Sequence, residues 1–205
     1  MASDLEIVQW ALSELGDKEI NSYPNSNNRA AEIAETHFSR SLDETLALNP
    51  WNEAMKNVQV ATGSSFSGSL EYSQSYAIPS DNIQLYSINE EEYKYTENYD
   101  IQGQWILANN ADSIYLKYTK RINASEMSTN LAHLFSLVLA KNMCMTLTKN
   151  GKLKASIVEM VEKIYLPRYK YKDGRSKHTA TKMRKSNWIN ARYQSPRRGG
   201  YYNSY

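Results

Sequence analysis

The sequence predicts an α+β fold, mainly α: an antiparallel helical bundle with a small inserted antiparallel β-sheet and an extended basic C-terminal arm. Three observations predict it. Apolar residues recur at helical spacing over residues 3–48 and again over 128–166, whereas the stretch between them, 51–122, shifts toward alternation. The charge then reverses. Through Glu162 there are 12 basic and 21 acidic residues, a net of −9, and beyond it 12 basic residues against Asp173 alone, a net of +11. With 205 residues and 41% apolar side chains, the chain can bury one core with appendages but not two large domains. The expected division is a domain over 1–172 and an arm over 173–205.

The first helix is expected over 3–16. Ser3-Asp4 offers an N-cap, Leu5, Val8, Leu12 and Leu15 keep helical spacing with Ile7, Trp10 and Ala11 widening the stripe, and Gly16 is the stop. The second is expected over 27–48, with Ala30, Ala34, Phe38, Leu42 and Leu46 on one face and Asn49-Pro50 at its end. Short strands are read at Val58-Gln59-Val60, Tyr76-Ala77-Ile78-Pro79, Ile83-Gln84-Leu85-Tyr86, Gln104-Trp105-Ile106-Leu107 and Ile114 to Tyr118. Asn109 to Asp112 suits a turn joining the last two as a hairpin. Eight of the sixteen tyrosines fall between Tyr72 and Tyr118, which suits sheets half covered by a neighbour. Helical spacing returns over 128–149, through Leu131, Leu134, Phe135, Val138, Leu139, Met143 and Leu147. It continues over 151–166, through Leu153, Ile157, Met160, Val161 and Ile164, ending near Pro167.

Several classes of chemistry are disfavoured. His37, His133 and His178 are far apart and Cys144 is alone, so no metal site and no disulfide framework is expected. The glycines of 63–68 lack the spacing of a phosphate-binding loop or a nucleophile elbow, and no cofactor is expected. Glu14, Glu32, Glu35, Asp43, Glu44 and the run Glu90 to Glu92 supply carboxylates for a glycosidase-like pair, but each also reads as an ordinary solvated charge. The apolar run near Leu131 to Met145 is too interrupted to span a bilayer, and Met1 to Asp4 does not open a signal peptide, so folding in a cytoplasm is expected.

The arm is the strongest local signal. Arg175, Lys177, Lys182, Arg184, Lys185, Arg192, Arg197 and Arg198 are interleaved with Trp188, Tyr193, Tyr201, Tyr202 and Tyr205. Cations beside rings suit single-stranded nucleic acid, and equally suit an arm that becomes ordered on a protein partner.

Three stretches resemble the tail tubular protein A family, the head-to-tail adaptors, or gatekeepers, of short-tailed phages of the podovirus type. They are Ile7 to Gly16 with Ile20, Arg29 through Leu46 running into Asn49-Pro50-Trp51-Asn52, and Tyr76-Ala77-Ile78-Pro79-Ser80-Asp81-Asn82-Ile83 followed by the hairpin to Tyr118 and the helix from Leu131. Together they cover about residues 3 to 165. Two departures stand out: Glu53, where the resemblance favours an apolar residue, and the long basic C-terminus.

The resemblance implies a non-enzymatic virion protein made in the host cytoplasm. Twelve copies would form a ring beneath the portal, retain packaged DNA in the channel until ejection, and meet a tail nozzle or further ring below. It implies helices in the ring wall and a tail-facing sheet, for which Tyr76, Tyr86, Tyr93, Tyr95, Tyr99 and Trp105 are the candidates. The residues named above from Arg175 to Tyr205 are the candidates for portal docking. A nucleic-acid-binding protein using the basic arm is the alternative, and a virion-associated muramidase-like enzyme the third.

Overall fold

A computed structural model describes residues 2–24, 27–63, 72–89, 91–92, 99–109 and 113–176. Its helices are α1 (Asp4–Leu15), α2 (Arg29–Ala47), α3 (Thr129–Leu147), α4 (Gly151–Glu159) and α5 (Leu166–Ser176), with a π-helical segment, Met160–Tyr165, between the last two. Local chemistry fixes their starts. Ser3 and Glu6 form a reciprocal capping box on α1, and Gly16 closes that helix at φ 69°. Asn28 caps α2, and the Asn150 side chain accepts from both Lys152 and Leu153 at the start of α4.

Helix α3 is the centre of the helical layer. Leu131, Ala132, Leu134, Phe135, Leu137, Val138, Leu139, Ala140, Met143 and Cys144 are all buried, so nearly every side of this helix is covered, by α1, α2 and α4. Trp51, 2% exposed, joins this core and donates its indole N–H to Thr45 O at 3.0 Å.

The strands are β1 (Met55–Ala61), β2 (Gln74–Ala77), β3 (Asn82–Ile88), β4 (Glu91–Glu92), β5 (Tyr99–Gln102), β6 (Trp105–Ala108) and β7 (Ser113–Lys120). They form two antiparallel sheets, ordered β1-β7-β3-β4 and β2-β6-β5. Alternation decides the faces. Ile114, Leu116 and Tyr118 of β7 point inward, register with Val60, Val58 and Lys56 of β1, and share a core with Tyr76, Ile106 and Ala108 of the second sheet.

Four expectations need correction. The fold is not an antiparallel helical bundle with one small sheet. It has two sheets with a core of their own, and α2 runs parallel to α3: the Phe38 and Phe135 rings meet at 5.0 Å, and further along both helices Ser41 and Glu44 meet Asn142. Antiparallel neighbours in a bundle need short connections, which α2 and α3 lack. Here the crossover is the whole sandwich, with β1 and β7 zipped together and Lys120 N donating to Ala54 O at 2.8 Å where the chain enters and leaves.

The expected hairpin of Trp105-Ile106-Leu107 with Ile114 to Tyr118 does not form either, since β6 and β7 belong to different sheets. The partner of β6 is β5, across the two-residue turn Gly103-Gln104, where Gly103 has φ 62°. A Gly at the first central position of a two-residue loop matches the twist of a hairpin. Finally, the last helix does not stop near Pro167. Leu166 N donates to Val161 O, five residues back, and this widened turn lets the chain pass a proline that lacks an N–H and continue to Ser176. The expected boundary between domain and arm, 172/173, therefore falls inside α5.

Candidate functional site

The best-defined polar assembly is the root of the basic arm, where α5 lies on α3 and on the loop after α2. Asn52 carries most of it. Its backbone N–H donates to Asp173 Oδ1 at 3.1 Å, while its side-chain amide donates to Asp173 O at 2.7 Å and Ser176 Oγ at 2.9 Å. One turn back, Lys172 Nζ donates to Asn130 Oδ1 at 3.1 Å and lies 5.6 Å over the Tyr169 ring. Tyr169 is buried and its hydroxyl lies 3.0 Å from His133 Nδ1, with the Tyr165 ring 5.0 Å from the imidazole. Burial pushes the His133 pKa down, opposed by the Glu14 carboxylate, so the neutral ring is favoured there. A cleft of about 300 Å³ runs beside this root, lined by Trp51, Glu53, Ser128, Asn130, Tyr169 and Lys172 among others.

Glu53 has a structural task at this place. Its carboxylate accepts from both the backbone N–H and the hydroxyl of Ser128, the N-cap of α3. An apolar residue, which the family resemblance favours at this position, would leave that helix start without its carboxylate partner.

A second polar cluster joins the two cores. Asp81 accepts from Lys56 Nζ at 2.9 Å and from the Tyr118 hydroxyl at 2.8 Å, and Lys56 lies 5.8 Å over the Tyr118 ring. The lysine holds the Asp81 carboxyl below its usual range, and burial pushes the Tyr118 phenol up. Beside it, Arg121 N donates to Asp81 O at 2.7 Å while its guanidinium reaches Asp43 Oδ1 of α2 at 3.0 Å. Between α2 and α3, burial works against the charge on Glu44, but the Asn142 amide and the Lys141 ammonium outweigh it and hold the carboxyl low.

The sheet carries an open outer face. Asn57, Ser87, Asn89, Tyr115 and Lys117 border a concavity of about 750 Å³, with Tyr115 57% exposed. Asn89, at φ 51°, is held there from both ends: its side-chain oxygen accepts from Tyr115 N at 2.9 Å, and its amide donates to the Tyr99 hydroxyl at 2.5 Å.

The residues expected on a tail-facing surface are scattered by this arrangement. Tyr76 is fully buried in the sandwich core and unavailable to a partner. Tyr86, Tyr99 and Trp105 are half-buried; the Tyr86 hydroxyl accepts from Thr119 at 3.3 Å, and Trp105 lies so close to Gly63 that a Cβ there would sit 3.0 Å from its ring. Tyr93 and Tyr95 lie outside the described residues. Of the expected portal-docking residues, Arg175 is on the last turn of α5, 5.7 Å over the Tyr171 ring. Lys177, Lys182, Arg184, Lys185, Trp188, Arg192, Tyr193, Arg197, Arg198, Tyr201, Tyr202 and Tyr205 lie outside the described residues. Reading the sequence assigned no role to Asn52 or Asp81, which appear there only within the resembling stretches, and passed over Asn89. For Asn89 a signal existed, since asparagine is among the few residues that tolerate a left-handed backbone.

Among the described residues no group of three or more His, Cys, Asp or Glu side chains is placed to hold a metal ion, and no helix is long and apolar enough to cross a membrane. No protein-family model matches the chain, and no curated protein matches it.

Proposed function

We propose that this chain is a structural virion protein, the subunit of a head-to-tail adaptor ring that joins the portal to the tail of a short-tailed phage and helps retain packaged DNA. The observation that carries the reading is the rooted final helix. Asn52 fixes the end of α5 to the body, so the basic segment leaves from one defined point. Two further features fit. Two helices before the strand region and a long helix after it fit the resemblance to tail tubular protein A, although its hairpin ending at Tyr118 does not form, and the open sheet face around Tyr115 and Lys117 offers a surface for a nozzle or further ring.

In this reading the portal templates a heterologous interface that closes after a fixed number of rotations, twelve in the family. Docking of the basic arm into the portal couples ring completion to the portal. DNA in the channel would meet a body whose net charge through Glu162 is −9, which disfavours sticking.

The test is the mass, by light scattering, of the full-length protein and of a chain ending at Ser176, each alone and mixed with its cognate portal. Multi-copy association with the portal by the full chain only is the expected result. No association, together with tight and steeply salt-dependent DNA binding by the full chain, would replace the adaptor reading with the nucleic-acid one.

A further inference from the structure

We infer that copies of this chain associate head to tail through the outer face of α5 on one copy and the acidic face where α1 meets α2 on the next. This rests on the ring reading above and names the faces that would form the ring. Ile164 of the π-helical segment and, continuing from it, Arg168, Tyr171 and Arg175 of α5 are all exposed, with Ile164 at 54% and Tyr171 at 67%. Arg175 stacks over Tyr171. Two arginines and a tyrosine beside an exposed isoleucine are the residue types that dominate protein contacts, and here they cover nothing within the described chain.

The complementary face gathers around Tyr23. Its ring packs 5.4 Å from that of Phe38, one turn beyond Glu35 on α2, and its phenol is pushed up to about 12 by burial and by the Asp4 and Glu35 carboxylates, from the first turn of α1 and the second turn of α2. Glu32 lies one turn before Glu35 on the same helix. Asp4, Glu32 and Glu35 are exposed, and among the described residues none of the three, nor Arg168 or Arg175, has an ion-pair partner within the chain.

Geometry makes the pair repeatable. His133 faces α5 and Phe135 faces α2, and two residues on a helix point about 200° apart. The two faces therefore flank α3 from nearly opposite sides. They also lie at one level, because α2 is parallel to α3: Glu32 and Glu35 precede Phe38 just as Asn130 and His133, which hold α5, precede Phe135. Complementary faces on opposite sides at one level form a heterologous contact that repeats laterally.

The experiment is sedimentation velocity of the full chain over a wide concentration range at low and high salt. Wild type should self-associate, more weakly at high salt. Reversing one face (Arg168→Glu with Arg175→Glu) or the other (Glu32→Lys with Glu35→Lys) should lower the association constant by at least about tenfold. An equimolar mixture of the two variants should recover it, since each reversed face then meets a reversed partner. Tyr171→Ala, at an exposed position, should weaken association without changing charge. A wild type that stays monomeric throughout, association that survives either reversal, or a mixture of variants with wild-type thermal melts that does not recover would each overturn the inference. Failure of the adaptor reading is seen separately: self-association that follows the swap pattern with no binding to the portal supports these faces and removes the portal.

Discussion

Replacing Asn52 with alanine isolates the anchor of α5. The backbone bond to Asp173 Oδ1 remains, while the amide's bonds to Asp173 O at 2.7 Å and Ser176 Oγ at 2.9 Å are lost. A net hydrogen bond contributes roughly 1 kcal/mol, and these two are partly open to water, so the expected loss is about 1–2 kcal/mol. That loss should appear locally. Helix α5 buries only Tyr169, whose hydroxyl lies 3.0 Å from His133 Nδ1, and beyond it Lys172 reaches Asn130, so its last turns can open without the rest of the protein. At about 1.4 kcal/mol per factor of ten, amides of residues 170–176 should exchange with solvent roughly 5 to 30 times faster. Hydrogen exchange followed by peptide mass spectrometry reads this directly, with α3 as the internal control. Equal acceleration across Leu134 to Val138 would place Asn52 in global stability and refute a local anchor; unchanged exchange at 170–176 would show that the two bonds contribute nothing.

Other outcomes follow from the same geometry. Glu53→Leu removes the carboxylate from the start of α3 and should cost about 1–2 kcal/mol, a magnitude typical of a lost helix cap, seen as a lower Tm because α3 is the shared centre of the helical core. Gly103→Ala forces φ 62° on a residue with a Cβ and should cost about 1 kcal/mol in urea unfolding, with the slope unchanged. His133 has a folded pKa below its ordinary 6.5, so the unfolded chain takes up the proton first. Its contribution to stability is complete above 6.5 and is lost as pH falls through the lower folded value, and His133→Gln should flatten the urea midpoint against pH in that window. Glu44 acts in the same sense lower down: its contribution is present above 4.5 and is lost as acid titrates the folded carboxyl, a step that Glu44→Gln should remove from the profile.

What could be read from the sequence was whatever is written at short range. Ser3, Glu6 and Gly16 bracket α1, and the spacing from Ala30 to Leu46 sets the buried face of α2, because caps and periodicity act within a few residues. Which strands pair is decided elsewhere. Asn109 to Asp112 reads as the turn and Gln104 as part of a strand, whereas the left-handed Gly103 in the two-residue loop Gly103-Gln104 commits its flanks to one hairpin. Pro167 misled for a related reason: the rule that proline ends a helix assumes α geometry, and the π-helical segment escapes it. The candidate site was legible as charge, in the basic run after Glu162, but not as geometry. Asn52 lies 121 residues from Asp173 in sequence, and no local pattern announces a pair at that distance.

The inserted sandwich has a consequence for assembly that its own surface does not reveal. Had a short loop joined α2 to α3, the two helices would run antiparallel, and Glu32 and Glu35 would lie toward the Cys144 end of α3, far along the axis from α5. A head-to-tail contact between those faces would then combine rotation with a rise along the axis, and such contacts build open helices instead of closed rings. The long crossover lets α2 run parallel to α3, which brings the acidic face level with the basic one. Pairing of β1 with β7 keeps the points where the chain enters and leaves the sandwich together, and the bonds that meet at Asp81 and Asp43 tie it to the helical layer. If the two faces do meet in neighbouring copies, the sandwiches are carried around the same axis as a second tier, with the Tyr115 face of each in an equivalent position.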